Sequence, residues 1–423
     1  MSTPLPALVV KAAKLAREPE RAVLSADIQA DGLSMPASIW FEVAPRFGDG
    51  LAANGDPFLP PILMRAMREG RQVVVEDSLS ALLAATMPRV MDMQASWSRD
   101  APVSLRPVPL AVSPTSRTER GPAAAAFFSG GVDSFYTLLR NRARYPRSDS
   151  RAISHLIVIH GLDVKLDDTT LFGQVEATAE AVAKAVGAHV VTVRTNVRQV
   201  VSGVDWNLHA HGATLASVAL ALSRLFHTVF LGSSLPFLEL RPWGSHPGLD
   251  PLWSTESLEI VHDGAEANRA DKIEYLAGSP LALNYLRVCW RNSEGAYNCG
   301  RCEKCLRTMV VLELAGVLDQ AKTFPPRVPP AHVRALAIPP EFARRWYPAL
   351  ERSRRSEHHR ELMEAIEHAI DRGRRAAEAR GTLEAAIWRY LKYVGVTPAH
   401  IKAADRRLLG GALTAFRRAL RHG

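Results

Sequence analysis

From Ala123 to Gly232, short apolar runs alternate with longer stretches of helical periodicity, and that alternation leaves few folds open to the chain. Ala123 to Phe128, His155 to His160 (HLIVIH), His189 to Val193 (HVVTV) and His227 to Gly232 (HTVFLG) read as strands. Phe135 to Tyr145, Leu171 to Val186 and His211 to Phe226 read as the helices between them, with Gly187 ending the second. Strands joined by such helices imply βαβ units, so the segment is expected to form a parallel α/β sheet with helices on both faces.

The flanking regions differ. Residues 1–120 mix alternating runs such as Ser38-Ile39-Trp40-Phe41-Glu42-Val43 with helical stretches over Ile62 to Met67 and Leu79 to Met87, and a strand over Gln72 to Glu76. A small N-terminal α+β domain is expected there, with the Pro-, Ser- and Thr-rich stretch from Pro107 to Pro122 as its exit linker. Residues 121–322 form the α/β domain. Residues 323–423 read as a helical C-terminal region, in which Leu362, Ile366 and Ile370 share one helix face and Ala385, Ile387 and Tyr390 continue the pattern.

At 423 residues and 47% hydrophobic content the chain is long enough for two or three domains. Its longest apolar stretch, Gly212 to Leu222, falls short of the roughly 20 residues of a membrane span. The first residues hold acidic side chains and no apolar leader core, so a cytoplasmic protein is expected. The net charge of +9 is confined to residues 331–423, which carry 19 Lys and Arg against 10 Asp and Glu. That surplus would suit a nucleic-acid or protein partner. The plainer reading is a solvated, Arg-rich helical face. A homo-oligomer is compatible with everything above.

Two motifs carry chemistry. Ser129-Gly130-Gly131-Val132-Asp133-Ser134 lies between a strand and a helix. The glycines free the backbone to approach an anion, and the helix start adds N–H donors and a positive dipole end. Ser129 and Ser134 offer hydroxyls to phosphate, and Asp133 can hold Mg²⁺ or orient the loop. No Lys lies in it, so it is not a Walker A loop. The second motif is Cys289, Cys299, Cys302 and Cys305, which are all the cysteines of the chain. Four thiolates so spaced suit a closed, structural Zn²⁺ site in a reducing compartment. An iron–sulfur cluster is the rival occupant.

AAFFSGGVDSFYTLL resembles the signature of the N-type ATP pyrophosphatases, which share an adenine-nucleotide α-hydrolase-like, Rossmann-like fold. The resemblance implies ATP bound by its pyrophosphate end on residues 129–134, cleavage between the α and β phosphates, and an adenylate that a nitrogen or sulfur nucleophile attacks. The later cysteine pattern, followed by Leu306-Arg307, resembles the 7-cyano-7-deazaguanine synthases of queuosine biosynthesis, as does the order of Thr255-Glu256, Lys272-Ile273-Glu274 and Val288-Cys289. It implies a ligase acting on a small carboxylate or amide, with Lys272 and Arg307 neutralising phosphate or adenylate. The bland alternative is a surface Lys and an Arg supporting the metal lobe.

Two segments depart from that family. Gly232 to Pro236 and Arg241 to Pro247 replace its Asp-Cys-Arg element, and His209-Ala210-His211-Gly212 stands where an Arg-Asn pair is expected. Arg241, Trp243, Ser245, His246 and His211 are the substrate-pocket candidates, against an ordered Pro-rich surface loop with Trp243 turned inward. His209 and His211 could also ligate a metal, although caps and hydrogen bonds are commoner uses of such residues. Two further functions stay open: the same adenylation on tRNA, DNA or a protein terminus, as in anti-phage gene clusters that hold relatives with added domains, or ATP sensing without turnover.

Overall fold

A computed structural model describes residues 5–98, 105–106, 108–114, 121–289, 291, 297–354 and 359–393. Its contacts divide the chain into Met1–Val328 and Pro329–Gly423.

The first unit is built on one eleven-stranded sheet. Its strands in chain order are β1 (Leu8–Val10), β2 (Lys14–Arg17), β3 (Ala22–Gln29), β4 (Ser38–Val43), β5 (Val73–Leu79), β6 (Leu110–Pro114), β7 (Ala123–Phe127), β8 (Ile153–His160), β9 (His189–Thr195), β10 (Phe226–Gly232) and β11 (Glu259–Asp263). The lateral order is β11-β10-β7-β8-β9-β4-β3-β1-β5-β6, with β2 added on β3. From β11 to β9 every pairing is parallel. Counted along the chain, that block has the order 3-2-1-4-5, the doubly wound arrangement whose ligand crevice opens where the order reverses, between β7 and β10. Ala124, Ala125 and Ala126 make the central strand fully buried, and their small side chains let helices pack close on both faces.

The helices of this unit are α1 (Leu59–Glu69), α2 (Ala81–Trp97), α3 (Val132–Arg144), α4 (Thr169–Val186), α5 (Val197–Val200), α6 (His211–Ala221), α7 (Arg269–Ala277), α8 (Pro280–Tyr285) and α9 (Glu303–Leu314). Gly187 closes α4 in the left-handed conformation, as its position predicts. A π turn at Trp206–Ala210 leads into α6.

The boundary expected at residue 121 does not separate two packed units. Strand β4 pairs antiparallel with β9, so the N-terminal strands extend the central sheet. Asn196 fastens this join, its Oδ1 accepting from the Trp40 N–H at 3.1 Å and its Nδ2 donating to the Ser38 carbonyl at 2.8 Å. Phe58, Ile62 and Met64 share a core with Ala213, Val218 and Leu220 of α6. Part of the expected linker is itself strand β6, parallel to β5; residues 107 and 115–120 of it lie outside the described residues. Among the described residues no helix is long and apolar enough to cross a membrane.

One buried carboxyl in this core gives a pH test. Asp56 is 4% exposed, accepting from the Ser80 N–H at 2.7 Å and from Asn54 Nδ2 at 3.1 Å. Burial pushes its carboxyl up to about 6 despite those two hydrogen bonds, with Glu256 and Asp77 adding to the rise. The folded value lies above the ordinary 3.8, so the folded chain holds this proton more tightly and stability is lost as pH rises between the two. Asp56→Asn, which keeps an acceptor for Ser80, is therefore expected to gain about 1–2 kcal/mol on the native chain between pH 4 and pH 7.5. Thermal unfolding at both pH values checks it; a difference that does not change with pH would refute it.

The second unit contains α10 (Pro330–Arg334), α11 (Pro340–Ala343), α12 (Tyr347–Arg354) and α13 (Arg360–Tyr393). Leu362 and Ile366 are buried and Ile370 is half-buried, on the expected face of α13. The side chains of Ala385, Ile387 and Tyr390, and all of residues 394–423, lie outside the described residues. Arg374 and Arg375 both pair with Asp371, and Arg374 also with Glu378, so part of the basic charge is neutralised along the helix itself.

Candidate functional site

Strand β7 delivers the chain into the Ser129–Ser134 loop at the crevice. Gly130 takes φ +73°, which side chains rarely adopt. Its carbonyl accepts from the Arg287 N–H at 2.8 Å, which pins the loop from outside. Gly131 caps α3 without a side-chain hydrogen bond, so the first N–H groups of the helix have no side-chain cap, as an anion site would require. Both loop hydroxyls bond within the loop: Ser129 Oγ accepts from the Gly131 N–H at 3.3 Å, and Ser134 Oγ donates to the Gly131 carbonyl at 3.0 Å.

Asp133 is the electrostatic centre. Its Oδ1 lies 3.2 Å from Lys272 Nζ and its Oδ2 3.1 Å from Arg269 Nη1. Lys272 is 1% exposed and also donates to the Ser233 carbonyl at 2.5 Å, tying α7 to the end of β10. Burial raises the Asp133 carboxyl, but Lys272 and Arg269 outweigh it and hold the group below the usual carboxylate range, with help from Lys304 on α9. Gly232 belongs to the same junction, since a Cβ there would lie 2.9 Å from the Asp133 carbonyl oxygen. Arg269 Nε is buried with no hydrogen-bond partner. Three cations, Lys272, Arg269 and Lys304, thus act on the one loop carboxylate.

The family resemblance named Lys272 as a candidate to neutralise phosphate, and it lies against Asp133; Arg269 was not foreseen. The signal was present: Asn268 and Asp271 form a capping box that starts α7, and Arg269 and Lys272 are three apart on one face. Of the two roles expected for Asp133, holding Mg²⁺ or orienting the loop, the ion pairs to Lys272 and Arg269 bear on the second. Arg307 lies buried on α9 with Nε 3.4 Å from Glu303, while Lys304, near the start of that helix, is the residue that sits in the field of Asp133.

Beside the loop, the four cysteine sulfurs lie within 4.8 Å of one another and can hold a metal ion such as zinc. Cys299 and Cys305 sulfurs are 3.9 Å apart, close to the roughly 3.8 Å edge of a tetrahedron with Zn–S bonds of about 2.3 Å. The N–H groups of Cys302 and Cys305 point at the sulfurs of Cys299 and Cys302, at 3.3 and 3.5 Å, which favours thiolates. The Cys302 thiol is drawn down to about 5, first by the Cys305 thiol beside it and against its own burial. Asn298 organises the approach, its Oδ1 accepting from the N–H groups of Val288 and Cys289. Tyr285, Tyr297, Asn298 and Lys322 line a cleft of about 540 Å³ between this lobe and α4.

The expected pocket segments are distributed unevenly. His211 Nδ1 donates to the Trp206 carbonyl at 3.1 Å, and its ring lies 5.8 Å from Trp243 and 6.0 Å from Trp206. Arg241 stands over Trp243 and Arg198 over Trp206, at 5.7 and 3.4 Å from the ring centres. Ser245 and His246 are instead part of the turn's scaffold. Ser245 Oγ donates to the buried Asp250 at 2.6 Å, and His246 Nδ1 accepts from the Gly248 N–H while its ring packs on Trp97. Asp250, which the sequence reading passed over, also binds His262 Nδ1 at 2.7 Å and so fastens this loop to β11. His209 is 1% exposed and enclosed by Gln94 and Ser98, an arrangement that leaves neither ring nitrogen for a metal. No protein-family model, curated protein or solved structure matches the chain.

Proposed function

We propose that the chain is an ATP-dependent adenylating ligase with the fold and loop of the N-type ATP pyrophosphatases. The observation that carries this is the Asp133–Lys272–Arg269 cluster, set where β7 enters α3 at the reversal point of a parallel sheet. A triphosphate laid along Gly130–Ser134 would meet the uncapped N–H groups of α3 and the positive charge of Arg269 and Lys304. A carboxylate acceptor then attacks the α-phosphate, pyrophosphate leaves, and a nitrogen nucleophile displaces AMP from the acyl carbon. Fixed donors at the leaving pyrophosphate would provide much of the rate gain. Mg²⁺ would enter on the nucleotide's own phosphate oxygens, in keeping with the cations already on Asp133.

The zinc centre has a structural part in this account, holding α9 and its Lys304 beside the loop. No cysteine lies outside it to serve as a covalent nucleophile, which favours direct attack on the adenylate. A small carboxylate or amide of the 7-deazaguanine type is the first acceptor to test, with tRNA, DNA or a protein terminus as the second class. Arg269→Ala is expected to weaken ATP binding about tenfold or more while leaving the fold intact, because its side chain is half-buried and Lys272 still neutralises Asp133. Calorimetric titration with Mg-ATP checks it; unchanged affinity would remove Arg269 from the site.

A further inference from the structure

We infer that His211 Nε2 is the proton acceptor for the nitrogen nucleophile that displaces AMP, at a site between the rings of Trp206 and Trp243. The inference deepens the adenylation reading and rests on it. The tautomer is fixed by geometry. The Nδ1–H is committed to the Trp206 carbonyl, which leaves the lone pair on Nε2, and no described residue bonds to that nitrogen. The carbonyl that fixes it belongs to a π turn, a departure from regular helix that brings Trp206 back over the start of α6.

Two glycines allow the Trp243 segment to close in. A Cβ on Gly212 would lie 1.9 Å from the Gly244 carbonyl oxygen, and one on Gly244 would lie 2.7 Å from His211 Nδ1. Trp243 reaches His211 by that approach, and its Nε1–H is buried with no hydrogen-bond partner. Asp163, on the loop after β8, lies within electrostatic reach of both this site and α9. Asp163 acts electrostatically on Arg198 and His211 on one side and on Lys304 on the other.

The charged groups around the ring suit a base. Burial pulls His211 below the ordinary imidazole value, the Trp206 carbonyl, Asp250 and Asp163 oppose it, and Arg198 adds to the lowering. His246 and His262 flank Asp250, and Arg241 lies across Trp243. Burial thus favours the neutral ring, the form that can take a proton. In the step proposed, the amine nitrogen forms a bond to the acyl carbon and the bond from that carbon to the AMP oxygen breaks. AMP leaves with the electron pair, and the proton released by nitrogen passes to Nε2 and then to water.

The test compares wild-type chain with His211→Gln, whose amide can still donate to the Trp206 carbonyl. Pyrophosphate and AMP release are followed separately with Mg-ATP, 7-carboxy-7-deazaguanine and ammonium, from pH 5 to 8.5. In a single turnover the expected result is retained pyrophosphate release, AMP release slowed about 100-fold or more, and a flatter dependence of the AMP rate on pH than in the wild-type chain. Equal AMP release by both proteins would overturn the inference while leaving adenylation standing. Absence of pyrophosphate from the wild-type chain overturns the adenylation reading, and this inference falls with it. Nitrogen-15 shifts of the folded wild-type chain at pH 7.5 give an independent check. A protonated Nδ1 with a bare Nε2 is expected, and the opposite tautomer would overturn the assignment.

Discussion

Cys302→Ser is expected to release the bound metal and unfold the lobe around α9, with the loss of all ATP-dependent activity. Cys302 holds two positions at once. Its sulfur is one corner of the four-thiol array, and its side chain caps α9 by accepting from the Cys305 N–H. A closed four-cysteine site couples metal binding to folding, and such sites contribute about 10 kcal/mol or more in small zinc domains. Here the lobe is also supported by Leu306, Met309, Val310 and Leu312, all buried, so the net destabilisation is expected nearer 3–5 kcal/mol. Metal analysis should find one zinc per wild-type chain and none in the variant, with a midpoint of thermal unfolding lower by several degrees. A strong chelator should reproduce the loss in the wild-type chain. Iron with labile sulfide in the purified protein would reassign the site.

Asp133→Ala carries the second large effect, and it acts on stability as well as chemistry. Removing the carboxylate leaves Lys272, 1% exposed, with the Ser233 carbonyl as its remaining polar partner. Breaking a buried pair from one side costs about 3–5 kcal/mol, because the surviving charge stays out of water. Asp133→Ala together with Lys272→Met removes both charges and should recover most of that stability while remaining inactive. Denaturant unfolding of the two single variants and the double variant measures the coupling. Additive losses would mean that the two groups do not depend on each other as their 3.2 Å contact implies.

The parts of the fold legible in the sequence are those with local signals. Strands β7 to β10 are buried on both faces and read as apolar runs, and Gly130 and Gly187 mark backbone conformations that other residues avoid. The N-terminal strands were harder. Strand β1 is three residues long, β2 is largely exposed, and the pairing of β4 with β9 joins residues more than 150 positions apart. No local pattern encodes such a pairing, so a region that reads as a separate domain belongs to the central sheet.

The same distinction runs through the site. The cysteines and the Gly-Gly loop announce themselves by residue type and spacing. Asp163, Arg198, Arg269 and Asp250 are single charged residues on separate elements, and only the sheet brings their neighbourhoods together. His209 and His211 look equivalent in sequence, yet one is sealed between Gln94 and Ser98 while the other keeps a bare nitrogen. His209 lies within the π turn and His211 directly after it, at the start of α6.

The central claim is adenylation at the Ser129–Ser134 loop, and pyrophosphate release tests it most directly. Purified protein with Mg-ATP would be assayed with 7-carboxy-7-deazaguanine and ammonium, with bulk tRNA, and with neither, alongside Arg269→Ala and the Asp133→Ala/Lys272→Met variant. The account predicts stoichiometric AMP and pyrophosphate with one acceptor and none from the double variant. ATP bound by the wild-type chain with no pyrophosphate under any of these conditions would contradict it and favour nucleotide sensing.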